Sequence, residues 1–107
     1  VNKSGLKVFI IQSLDRKFTL EDIAVAKNRK VHDVLEEIEH IVTSGTRVNL
    51  DHILNELLDE EYQEEIMDYF KETEEDSLDD ALEEFDETYS EEELRMMRIK
   101  FLSIMGN

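Results

Sequence analysis

"FTLEDIAVAKNRKVHDVLEEIEHIVTSG", residues 18–45, has the layout of a helix-turn-helix. Thr19 is placed to cap a short helix over 20–27, with Glu21 and Asp22 in its first turn. Leu20, Ile23 and Ala24 point inward. A basic turn follows: Lys27, Asn28, Arg29 and Lys30. Val31, Val34, Leu35, Ile38, Ile41 and Val42 then recur at helical spacing, which predicts a second helix over 31–44. Gly45 stops it from the position after the C-cap.

Such units usually place the early residues of their second helix against base edges. Here those residues are His32, Asp33, Glu36 and Glu37, with Glu39 a turn further on. Like charges brought together cost several kcal/mol, whereas a good bidentate base contact contributes about 1–3 kcal/mol. The usual insertion into a major groove is therefore disfavoured. Phosphate contact is left to the cations around the motif: Arg16, Lys17, Lys27, Arg29, Lys30 and Arg47, with Asn28 between them. The bland alternative is that these side chains are simply solvated.

Working outward, the chain reads as all-α, a compact bundle of about six to seven helices containing the helix-turn-helix. Its 107 residues suit one domain, there is no Pro, and only three Gly interrupt the helix formers. We expect residues 1–47 to form a trihelical part and 48–107 an acidic helical part of a single accessory domain. The start at Val1 suggests a piece excised from a longer chain. Ser4 is the expected cap of a first helix over 5–16. That helix is apolar nearly all round, with Leu6, Phe9, Ile10 and Leu14 on one face and Val8 and Ile11 on the other, which predicts burial on two sides.

In the second part, Asn49 is read as the cap of a helix over 50–58, with Leu50, Ile53, Leu54, Leu57 and Leu58 on one face. Asp59 caps 60–72, anchored by Tyr62, Ile66, Tyr69 and Phe70. Ser77 caps 78–87, with Leu78, Ala81, Leu82 and Phe85 inward. Ser90 and Glu93 form a capping-box pattern ahead of 91–105, which Gly106 ends. Leu94, Met97, Phe101 and Met105 make the core face of this last helix. Met96 and Ile99 fall opposite, so either the helix is sandwiched or these two form a small patch for a protein partner. A small irregular or strand-like piece is expected at 47–50.

Charge divides the chain. Residues 1–47 hold eight Lys/Arg against seven Asp/Glu; residues 48–107 hold four against twenty-one. The second part should be repelled by nucleic acid and serve as a solvated face or as a docking surface for a basic partner. No apolar run approaches the ~20 residues that span a bilayer.

Signals for chemistry are weak. There is no Cys, so no thiolate metal site. His32 and His40 lie about 12 Å apart along one helix and cannot share an ion. "DSLDDALEEFDE" (76–87) offers acids at three positions of a calcium loop, but Ala81 stands where that loop needs Gly. No nucleophile elbow and no Gly-rich phosphate loop occurs. The segment reads as non-enzymatic and without a cofactor or metal of its own.

"NKSGLKVFIIQSLDRKFTLEDIAVAK" (2–27), "EEIEHIVTSGTRVNL" (36–50) and "YSEEELRMMRIKFLS" (89–103) together resemble the extreme C-terminal helix-turn-helix domain of RecQ-type ATP-dependent DNA helicases, in the form found in Bacteroidetes-like bacteria. The resemblance implies a parent that hydrolyses ATP and unwinds DNA 3′ to 5′ in repair and recombination, in the bacterial cytoplasm at the nucleoid. ATP, Mg and Zn sites would lie in the parent's upstream domains. The module's partners would be the rest of the helicase chain, DNA weakly, or a basic protein, and not a membrane. A free-standing acidic interaction module or DNA mimic is the alternative, and a sequence-specific regulator a third reading.

Overall fold

Capping chemistry sets where most helices begin. The computed structural model describes residues 3–105 and holds seven helices among them: α1 (Lys3–Asp15), α2 (Leu20–Ala26), α3 (Val31–Thr43), α4 (Asp51–Leu57), α5 (Glu60–Glu72), α6 (Leu78–Phe85) and α7 (Glu91–Met105). At α2, Thr19 Oγ1 accepts the Asp22 N–H at 3.0 Å and the Asp22 carboxylate accepts the Thr19 N–H at 3.1 Å. At α7, Ser90 and Glu93 close the same reciprocal pair, at 3.1 and 2.8 Å. Ser77 Oγ accepts the Asp80 N–H at 3.1 Å and starts α6. Each pair satisfies backbone groups that the first helical turn leaves without partners.

Other expected caps differ. Ser4 lies inside α1, which already runs at Lys3. Asn49 stands one residue before the α4 cap position, and its Oδ1 accepts the Asp51 N–H at 2.9 Å from there. Asp59 holds the cap position of α5 in extended geometry, but its carboxylate makes no capping hydrogen bond. α6 ends at Phe85, two residues early, because Asp86 and Glu87 turn left-handed at φ 40° and 67°. Residues 46–50 are irregular and not a strand. Gly106 lies outside the described residues.

The first three helices share one way of ending. Past α3, the Gly45 N–H reaches Val42 O at 3.0 Å and the Thr46 N–H reaches Ile41 O at 3.2 Å, with Gly45 at φ 104°. Past α1 and α2 the same crossed bonds recur, with Lys17 (φ 69°) and Asn28 (φ 53°) in the left-handed position. This is the Schellman arrangement. Asn tolerates that geometry, whereas Lys bears its full steric cost.

Packing is organised by α7. Helices α1 and α2 lean on α3, and α7 lies against α3, α4, α5 and α6. Leu94, Met96, Met97 and Ile99 are all fully buried, so α7 is covered on opposite sides. That removes Met96 and Ile99 as an exposed protein-contact patch: α3 and the acidic helices close over both faces. Met105, expected in the core, is exposed near the end of α7. The α1 expectation is also corrected. Ile10 and Leu14 are buried, but Val8 stands half exposed, because α1 is an outer helix with α3 on one side only.

An aromatic chain fills the acidic half. Tyr62, Tyr89, Phe85, Tyr69, Phe70 and Phe101 follow one another with ring centroids 5.2–6.2 Å apart. Tyr89, on the α6–α7 connection, is buried and its hydroxyl donates to Glu65 Oε1 at 2.5 Å. Burial first, then the Glu65 hydrogen bond and charge, push the phenol well above its usual range.

The turns and the buried ring can each be probed by substitution. Gly45→Ala should cost about 1 kcal/mol in urea unfolding, while Lys17→Gly should stabilise by a similar amount. For Tyr89, the unfolded phenol loses its proton near pH ~10 while the folded one keeps it, so stability falls as pH rises above that point. Tyr89→Phe should flatten this alkaline decline in pH-dependent urea titrations.

Candidate nucleic-acid interface

Helix α3 is held, on one flank, by α7. Its residue Glu39 accepts the Arg95 Nε–H at 2.8 Å and also bonds the Arg95 Nη2. Arg98 Nη1 lies 3.6 Å from the other Glu39 oxygen, and Arg98 Nε donates to Asp76 O at 2.5 Å. Arg95 Nη1 also meets His32 Nδ1 at 3.2 Å. A guanidinium only donates, so His32 Nδ1 accepts and the ring proton sits on Nε2, which faces Glu36 at 3.0 Å. The contacts advance together along both helices, from His32 with Arg95 to Val48 N–H with Ser103 Oγ at 3.1 Å. Thus α3 and α7 run side by side in the same direction.

This seam decides what α3 can present. Glu39 was expected to face the duplex, and it faces α7 instead. The first turn of α7, with Glu91 and Glu92, stands beside Val31, His32 and Leu35 at the N-terminal end of α3. The remaining open strip carries Glu36 and His40, with Asp33 and Glu37 partly covered. An inserted α3 would therefore bring its own acids and those of the first turn of α7 against phosphates.

The sequence-predicted contact residues divide into three groups. Arg16 and Lys17 sit at the α1–α2 junction, and Lys27, Asn28, Arg29 and Lys30 form the α2–α3 turn, so about 10 Å of α2 separates them. Arg47 follows the far end of α3, about 20 Å from that turn, and is not brought together with the others. All seven are exposed. Lys27 Nζ lies over the Phe9 ring, 4.4 Å from its centroid, and is thereby tied to α1. Arg16, Lys17, Arg29, Lys30 and Arg47 make no ion pair among the described residues. Three of the four cations of residues 48–107 are engaged: Arg95 and Arg98 as above, and Lys100 with Asp51 at 3.0 Å.

Sequence reasoning missed the Glu39–Arg95 pair, 56 residues apart. The one available signal was the two arginines, Arg95 and Arg98, set among the apolar residues of Leu94–Ile99. Nor did it find Tyr89 with Glu65. The 76–87 stretch is mostly helix α6, and among the described residues no three His or carboxylate side chains gather to hold a metal ion. No described helix is long and apolar enough to cross a membrane.

With this geometry in view, comparison with known proteins adds one match: residues 4–54 fit the RecQ-1-like, helix-turn-helix domain. Residues 4–54 are a RecQ-type helix-turn-helix domain. The matched span takes in α1, α2, α3 and the first half of α4. Helix α7, on which part of the resemblance was read, lies outside it. No curated protein matches the chain.

The RecQ-type unit is thus clasped by a helix from outside its own matched span, through one buried arginine. Glu39→Ala should destabilise the domain by about 3 kcal/mol, the lower end for breaking a buried pair, because Arg95 keeps its charge and loses its partner. Replacing both, as Glu39→Leu with Arg95→Met, should restore most of that stability in the same denaturant titration.

Proposed function

We propose that this domain is a non-catalytic accessory module of a RecQ-like ATP-dependent DNA helicase, touching DNA phosphates from the side through the α2–α3 turn. The supporting observation is the pairing pattern of the cations. Those of the acidic half are largely spent on internal carboxylates, whereas Arg29 and Lys30, with Arg16 and Lys17 one helix length away, are exposed and unpaired among the described residues. Lys17 adds weight. It holds a left-handed position where glycine would be easier, and strained backbone of this kind gathers at working sites.

Contacts of this sort position a duplex and carry no sequence information. In this reading α3 does not read bases, since α7 covers one flank and acids line the rest. ATP hydrolysis, Mg and Zn binding belong to other domains of the helicase, acting in DNA repair and recombination at the bacterial nucleoid. The acidic half favours a second role in protein docking, because most of its carboxylates face solvent without a cation.

Labelled duplexes of two unrelated sequences, titrated at several salt concentrations, test the reading. Binding should be weak and equal for both. Arg29→Ala with Lys30→Ala should lower the salt slope by about 2, at roughly 0.9 for each phosphate that is no longer neutralised. An unchanged slope, or nanomolar preference for one sequence, would exclude lateral phosphate contact by this turn.

A further inference from the structure

Two side chains expected in the core are not there: Leu57 is 44 % exposed and Tyr62 46 %. They lie along one groove. Where α2, α4 and the start of α7 meet, a cleft of about 450 Å³ is floored by Leu20, Ile53 and Leu57. A second cleft of about 410 Å³ shares Leu57 and continues past Tyr62 to Tyr89. Each falls within the ~300–1,000 Å³ typical of clefts that hold ligands. One wall is fixed, since the His52 Nε2 donates to Phe18 O at 2.7 Å and pins the ring between α4 and the α1–α2 junction.

The rim is acidic. Glu21, Glu56 and Glu92 border the first cleft, and Asp59 and Glu93 the second. Among the described residues, Lys17 is the one cation lining either. Glu93 is engaged by the Ser90 N–H. The other four carboxylates have no ion-pair partner among the described residues. An apolar floor between unpaired carboxylates calls for a ligand that is apolar at its centre and cationic at its edges.

We propose that this groove docks a short peptide segment of a partner protein, with a Leu or Phe anchor against Leu57 and flanking Lys or Arg on Glu56 and Glu92. Nucleic acid and anionic lipid are repelled by the same rim. A second copy of this chain would set its own carboxylates against these, and like charges across an interface are costly. The anchors of such segments supply most of the binding free energy, and the rim charges supply orientation and salt dependence. The site shares Lys17 with the cations of the DNA reading but no residue with the Arg29 and Lys30 turn, so variants at Leu57, Glu56 and Glu92 test it apart from that turn.

The test uses the whole 107-residue chain and a fluorescein-labelled peptide of about 12 residues carrying Leu and Phe three residues apart between Lys/Arg pairs, in the manner of helical groove ligands. The control peptide has Ser at both anchors. The first peptide should bind, and Leu57→Ser should weaken it about tenfold, as removal of a single anchor does, with helicity by circular dichroism unchanged. Glu56→Gln with Glu92→Gln should weaken it and flatten its salt dependence, while duplex DNA binding by these variants is not reduced. The proposal is overturned if both peptides bind alike, if Leu57→Ser leaves affinity unchanged, if no binding occurs, or if Leu57→Ser instead abolishes a dimer of this chain.

Discussion

The arrangement depends on one ion pair, Glu39 of α3 with Arg95 of α7. Arg95 is a charged group on the helix that carries α4, α5 and α6. Its guanidinium has one geometry in which its charge is answered, and that geometry fixes how far α7 is slid and rotated along α3. Buried pairs of this kind contribute little net stability relative to a good apolar contact, and their best-attested use is to set register. Here the register places the acidic first turn of α7 beside the N-terminal end of α3. The acidity of α3 is thus partly structural: Glu39 is a clasp.

Charge is divided by this clasp as well as by position in the chain. Three of the four cations of the acidic half are paired, with Glu39, Asp76 and Asp51. Arg16, Lys17, Lys27 and Arg47 stand outward just past helix C-termini, where the negative end of each helix also favours them, and Arg29 and Lys30 complete the turn ahead of α3. The molecule therefore offers small, separated positive sites on an anionic body, the α2–α3 turn the largest of them. An anionic body limits how tightly such a turn could hold a duplex, in keeping with the weak lateral contact proposed above.

Much of this was legible in the residues. The α3 stripe, the Thr19 and Ser90 caps and the Gly45 stop each rest on local rules, and each stands within a residue or so of where it was expected. What failed was tertiary. Periodicity shows which face of a helix is apolar but not whether anything covers it. Hence Val8, Leu57 and Tyr62 have the spacing of buried residues and are half exposed, while of the two readings open for Met96 and Ile99 the sandwiched helix holds and the exposed patch does not. Helix α4 buries Leu54 but leaves Leu57 half exposed. The groove is what that incomplete closure leaves. Of the contact residues, the turn was readable from composition, whereas the separation of Arg47 needed the length and direction of α3.

The aromatic chain has a practical consequence. The protein has no Trp, and its three Tyr, at 62, 69 and 89, all belong to the acidic half. Intrinsic fluorescence is therefore blind to the RecQ-type unit and reports on its companion alone, while circular dichroism sees both. Following the two signals through one melt separates the halves without any label. Curves that coincide identify a single cooperative block joined at Arg95, and curves that part identify a helix-turn-helix able to stand without its clasp.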